Sequence, residues 1–302
     1  MTAVLDSVGD WLKGWLADFV CWIIGNIFKM VAQQTTGLID SLALNPESYN
    51  ADMWSMLQSV IRNAIVPVAV LVLTYVMCIE LIGWLNDRNN LNTSGDVVST
   101  LIKYVIKMFI GILMVQNAHV ITLEIFKIAN RVITQAIGTV NTNVAVEMLS
   151  DSRMNELKET FMTLNIGDLC GMVLICGLAF FVTFIINAAA QIIVLGRVIQ
   201  IYMYCSIGSI PYATLINKDL NGIGKNYLLN LAALAFQGFF MVVALAMYGY
   251  LISDIDFSGM TGGLINMWEM TKYFMQLIVC GGALVFTLIG SKSLSKSIFN
   301  AH

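Results

Sequence analysis

Side chains able to do chemistry are scarce in this chain. Histidine occurs only at His119 and His302, so a histidine-based triad or a multi-histidine metal site has almost no material. The six cysteines, Cys21, Cys78, Cys170, Cys176, Cys205 and Cys280, lie in or beside apolar stretches and never form Cys-x-x-Cys. They read as small packing residues rather than a disulfide framework or zinc ligands. The segment Gly222-Ile-Gly-Lys-Asn has neither the spacing nor the Ser or Thr of a phosphate-binding P-loop. Catalysis and a cofactor are therefore not expected, and nucleotide hydrolysis would belong to another subunit.

What remains are charges and amides inside apolar runs. Glu80 precedes the end of one run by about five residues, and Lys103 follows the start of the next by about six, so an antiparallel hairpin brings them to similar depth and lets them pair. Lys107 lies one turn further along the same face as Lys103. A lysine in hydrocarbon costs about 2.5 to 3.5 kcal/mol, which leaves two readings: snorkelling with one structural ion pair, or a cationic lining of a conduit. Asn187 and Gln191 repeat the four-residue spacing and Gln237 stands alone in its run. All three read first as interhelical hydrogen-bonding groups.

These residues sit in a chain built for lipid. Of 302 residues, 58% are hydrophobic and 12% charged, and the mean hydropathy is +0.78, whereas soluble domains carry about 25% charged residues. The net charge of -3 is spread without a basic block, so nucleic acid would be passing cargo rather than a bound ligand. A spanning helix needs about 20 apolar residues, and the clearest runs are Ala64 to Leu85, Val97 to Val115, Asp168 to Leu195, Tyr227 to Ile252 and Tyr273 to Gly290. The fold class is all-α: a polytopic helical membrane protein with about five transmembrane helices, six if the N-terminal stretch also crosses, plus amphipathic interfacial helices.

That N-terminal stretch, Trp11 to Val31, is interrupted by Lys13, Asp18, Asn26 and Lys29 among Trp11, Trp15 and Trp22, and reads as an interfacial helix. Met1 to Asp10 has no basic n-region, so a cleaved signal peptide is not expected. His119 to Gly167 is the one sizeable stretch outside the bilayer, with an amphipathic helix over Val120 to Ile137 resting on the membrane or a partner. Asp168 to Ile216 is too long for one ordinary span: either a hairpin turns near Gly196 and Arg197, or one long helix crosses and runs on. Pro67 and Pro211 stand near run ends, where proline costs little. Lys218 and Lys225, Lys292 and Lys296, and Arg88 with Lys103 and Lys107 mark cytoplasmic segments, while Ser253 to Lys272, with Asp254, Asp256 and Glu269, fits outside. One crossing by Asp168 to Ile216 then puts the N-terminus outside and the C-terminus in the cytoplasm. The organisation expected is an N-terminal interfacial region (1–63), a first hairpin (64–118), an extracytoplasmic region (119–167) and a C-terminal membrane region (168–302). Small residues such as Gly281, Gly282 and Ala283 allow close helix packing.

The stretch Arg197 to Met241 reads RVIQIYMYCSIGSIPYATLINKDLNGIGKNYLLNLAALAFQGFFM. Arg197 after a long apolar run, the Ile-Pro-Tyr-Ala turn around Pro211, the polar connector with Gly222 and Gly224, and Tyr227, Leu228 and Gln237 in the next span resemble the TrbL-type conjugal transfer proteins, the polytopic membrane subunits of type IV secretion systems. The resemblance implies a homo-oligomeric ring in the bacterial plasma membrane, surrounded by lipid. Its partners would be other type IV secretion subunits, including ATPases and pilus-like subunits, with DNA or protein as cargo. A secondary transporter and a structural membrane anchor are the alternatives. A transporter should carry inverted repeats and broken helices in matching positions, and the sequence offers no such internal match.

Overall fold

The computed structural model describes residues 2–87, 94–139, 151–255 and 267–301. The turn expected at Arg88, the middle of the expected outer region and most of Ser253 to Lys272 lie outside them. Among the described residues every regular element is helical: α1 (Thr2–Ala43), α2 (Pro46–Tyr49), α3 (Ala51–Val60), a π turn (Ile61–Ile65), α4 (Val66–Asp87), α5 (Ser94–Gln116), α6 (Ala118–Thr139), α7 (Asp151–Met162), α8 (Ile166–Ile207), α9 (Ser209–Thr214), α10 (Asn221–Ser253) and α11 (Met267–Ile298). Local chemistry sets the ends. Pro46 opens α2, and the Asn50 side chain caps α3 by accepting from the Met53 N–H at 2.9 Å. Asn300, at φ 49°, closes α11 in a Schellman turn, with the N–H of Ala301 bonded to the Lys296 carbonyl and that of Asn300 to the Ser297 carbonyl.

The helical run from Ala51 to Asp87 contains Pro67 in its interior rather than near its start. The π turn immediately before Pro67 is the accommodation: an extra residue relieves the clash of the proline ring with the preceding turn and absorbs its missing N–H.

Six helices among the described residues are long and apolar enough to cross a membrane: Gly9–Ala43, Ala51–Trp84, Val98–Gln116, Ile166–Ile207, Asn221–Ser253 and Trp268–Ile298. This is the higher of the two counts read from the sequence, and the added helix is the N-terminal one. Two of its polar interruptions have partners. Asp18 pairs with Lys158 at 2.5 Å, and the Asn26 amide donates to the Trp22 carbonyl at 2.8 Å. Asp168 to Ile216 makes no hairpin at Gly196. It forms the 42-residue helix α8 and the short α9. At 1.5 Å per residue α8 is about 60 Å long, twice the hydrocarbon thickness, so one crossing accounts for only about half of it.

The chain divides into two compact units, each assembled from distant stretches. The first comprises Met1–Leu42, Thr134–Val194 and Phe240–Ser291. Its core repeats at helical spacing: Ala17, Val20, Ile24 and Ile27 of α1, Phe161 of α7, Leu169, Met172 and Cys176 of α8, and Met270, Phe274 and Leu277 of α11. Trp15 stacks on Phe19 and Phe19 on Trp22, at 5.6 and 5.9 Å between ring centroids, along the exposed side of α1. Gly281 lets the Ile186 side chain approach to 3.0 Å from where a Cβ would stand, whereas Gly282 faces open space.

The second unit comprises Ala43–Ile133, Leu195–Phe239 and Lys292–His302. Here α6 departs from expectation. Its apolar side, Ala118, Leu123, Phe126 and Ala129, is not left for membrane or partner but packs on Trp54, on Val198, Ile201 and Cys205 of α8, and on Leu231 and Ala235 of α10. Asn130 ties α6 to the Leu44 carbonyl and the Asn45 side chain at 2.9 and 3.0 Å. Lys127 reaches Glu124 and, on α2, Glu47. A smaller cluster, Ala69, Leu73, Met77, Val115 and Ala213, joins α4, α5 and α9.

Candidate functional site: the polar ties of the second unit

The charges read as a conduit or ion pair are placed by α4 and α5. Glu80 pairs with Lys107, not with Lys103 as expected from depth. Helical side chains lean toward the N-terminus of their own helix. Lys107 on α5 therefore leans back toward the hairpin turn while Glu80 leans away from it, and the two meet across a stagger that main-chain depth alone does not suggest. Lys103 is exposed and outside this tie. The other Glu80 oxygen accepts from the Asn217 amide at 2.8 Å, and Asn217, only 2% exposed, uses its own side-chain oxygen to accept from the N–H groups of Asp219 and Leu220. One carboxylate thus anchors the α4–α5 hairpin to the connector before α10. Tyr104 adds a bond to the Met77 carbonyl at 3.2 Å. Gly111 leaves the space that the Ile216 side chain fills.

The family-like motif is partly a physical cluster. Gly224 approaches α9 so closely that a Cβ there would lie 2.7 Å from the Pro211 carbonyl oxygen and 2.5 Å from Leu215. The expected turn around Pro211 is a short helix, and the connector is shorter than read, because α10 already begins at Asn221. Gly222 faces open space and joins nothing. At the break between α8 and α9, a Cβ on Gly208 would stand 2.7 Å from the Tyr227 hydroxyl, which donates to the Tyr204 carbonyl at 2.8 Å. This satisfies an end carbonyl of α8. Tyr212 meets Tyr227 edge-on at 5.7 Å, and Tyr202 donates to the Pro46 carbonyl at 2.8 Å. Burial holds the Tyr212 phenol above its usual range.

Arg197 is 4% exposed, and its guanidinium donates to the Ala235 carbonyl at 3.3 Å. Gly238 makes room for it: a Cβ there would lie 2.5 Å from Nη2. Among the described residues no carboxylate pairs with Arg197, and its Nε has no hydrogen-bond partner. Gln237, also buried, lines a small cavity with side chains of α8 and α11 rather than joining Arg197. Asn187 is buried in the first unit while Gln191, one turn on, is exposed, so the two do not act as a pair.

Sequence reasoning missed Asn217, Gly111, Gly208 and Gly238. Asn217 carried a usable signal, since Asn followed by Lys and Asp ahead of a helix is a side-chain-capped turn. The glycines carried none, because what faces a glycine is not written in its neighbours. His119 was seen only as scarce. It stands just beyond the end of α5, where burial and then the charge of Arg62 hold its imidazole below the usual range.

The arrangement is one of structural ties in a membrane bundle rather than of reacting groups. The family model described as TrbL/VirB6 plasmid conjugal transfer like protein matches residues 31–209, which takes in α3 to α8 with the Glu80–Lys107 tie and Arg197. No curated protein and no solved structure matches. The match covers more than half of the chain and agrees with the several apolar helices. This multi-pass membrane chain belongs to the TrbL/VirB6 plasmid conjugal transfer family, a component of type IV secretion.

Proposed function

We propose that the chain is a non-catalytic, oligomeric scaffold of the conjugation channel in the bacterial plasma membrane, through which DNA with attached protein passes or beside which pilus-like subunits are assembled. The family match over residues 31–209 carries this reading. The exposed apolar surface of α5 supports it: Val98, Leu101, Ile102, Val105, Ile106 and Phe109 are each at least half exposed, and such a face needs lipid or another copy against it. The C-terminal segment with Lys292 and Lys296 faces the cytoplasm and the ATPases, and with six crossings the N-terminus lies on that side too, rather than on the outer side expected from five. Lys103, exposed on α5 and outside the Glu80 tie, is the cation left to line a conduit.

Deletion of the gene from a donor cell abolishes plasmid transfer, and the wild-type chain in trans restores it. Normal transfer without the chain ends the proposal. Mass measurement of the intact complex in mild detergent gives a single multiple of the chain mass, whereas a monomer removes the ring. Single cysteines introduced between 253 and 272 react with an impermeant reagent in whole cells, and protection there reverses the orientation.

A further inference from the structure

We propose that the cavity between the second half of α8, the first half of α10 and the end of α11 binds one phosphoryl anion, supplied by the headgroup of an anionic phospholipid. The cavity measures about 60 Å³ and is lined by Gln200 and Tyr204, Asn230 and Gln237, and Lys292 and Lys296. A water needs about 10 to 15 Å³ of such space, so the cavity takes four or five non-hydrogen atoms, the size of a phosphorus with its oxygens. Its polar walls supply two ammonium groups, amides and a phenol, and among the described residues no carboxylate lines it. The Asn230 amide donors are already placed on Asn226, at 2.9 and 3.1 Å, which leaves Gln200 and Tyr204 to donate beside the lysines.

The cavity is held by its frame. The Ser295 hydroxyl bonds the Ala233 carbonyl, Phe236 and Phe299 rings lie 5.3 Å apart, and the turn at Asn300 fixes the end of the helix that bears Lys296. Lys292 and Lys296 stand one turn apart on one face of α11, and among the described residues neither has an ion pair. Like charges at that spacing repel, and a bound anion turns the repulsion into attraction. Exposed Leu294 and Ile298 on the same turns give an acyl chain an apolar surface beside the headgroup. Basic pockets between spanning helices on the cytoplasmic side are the usual anionic headgroup sites.

Occupancy is read by binding and is independent of whether the chain supports DNA transfer. The full-length chain is placed in nanodiscs of phosphatidylcholine alone or with phosphatidylglycerol, and bound lipid is counted by native mass spectrometry alongside the melting temperature. The wild type retains phosphatidylglycerol over phosphatidylcholine and melts higher with it. Lys292→Gln with Lys296→Gln lowers retention about tenfold, and Lys218→Gln with Lys225→Gln, the same loss of charge elsewhere, leaves it unchanged. Gln200→Leu weakens retention several-fold without a change of charge and serves if the lysine pair fails to fold. Inorganic phosphate in phosphatidylcholine discs is the second arm: a melting shift that depends on Lys292 and Lys296, without lipid preference, assigns the site to free phosphate. Equal retention by the wild type and both the lysine pair and Gln200→Leu, or a response to single-stranded DNA alone, overturns the proposal.

Discussion

The two units solve helix packing by different chemistry. In the first, among the described residues, fully buried side chains are almost all apolar, and the buried polar ones are three hydroxyls, Thr35, Thr183 and Ser291, with the amide Asn187. In the second, a carboxylate, an arginine, three amides and a set of tyrosines are embedded between helices. Apolar packing holds helices together but tolerates sliding, whereas a buried hydrogen-bonding group is satisfied in one register and costs energy in any other. The second unit, which also carries most of the motif that resembles conjugal transfer proteins, is thus the one whose geometry is specified by polar ties.

The comparison is broken first in the apolar unit. Phe161 is fully buried on α7, a helix outside the candidate spans, so Phe161→Ala costs about 3 to 5 kcal/mol, seen as a large fall in melting temperature in detergent. Next comes the carboxylate: Glu80→Ala leaves the buried Asn217 amide without its acceptor, while the partly exposed Lys107 ammonium turns to water, and costs about 1 to 3 kcal/mol. Lys103→Gln changes stability by less than about 0.5 kcal/mol. A double-mutant cycle over Glu80 and Lys107 returns a coupling, and equal effects at Lys103 and Lys107 would remove the assigned tie. Tyr227→Phe removes one bond to the Tyr204 carbonyl and costs about 1 kcal/mol, with faster amide exchange at the end of α8 as its marker.

The smallest effect is one of pH. The folded-state pKa of His119 lies below its ordinary 6.5, so between those two values the unfolded chain binds more protons. Stability is full above 6.5 and declines as pH falls through the window beneath it. Melting curves at pH 5.5 and 7.5 differ for the wild type, and His119→Gln narrows the difference.

Hydropathy made α4, α5, α8, α10 and α11 legible, because a bilayer demands long apolar runs. It left α1 as an interfacial helix with a sixth span possible, because Lys13, Asp18, Asn26 and Lys29 interrupt the run, and the Lys158 partner of exposed Asp18 stands 140 residues further on, beyond the reach of spacing arguments. The Glu80 tie was half legible: spacing found the partners' depth but not the lean of their side chains. In the motif, Gly222 and Gly224 look alike in sequence, yet only Gly224 is pressed against backbone. The face of α6 was legible as amphipathic, but not its destination, since an apolar stripe fits a sister helix as well as lipid.

Arg197 also bears on how the chain is made. Its carbonyl partner, Ala235, follows 38 residues later, so at about 5 to 20 residues per second the ribosome needs roughly 2 to 8 s to supply it. During that interval the Arg197 guanidinium lacks the protein partner that its burial requires. Helix α8 is therefore best kept in the insertion machinery until α10 emerges beside it, and the two enter the bilayer as a pair.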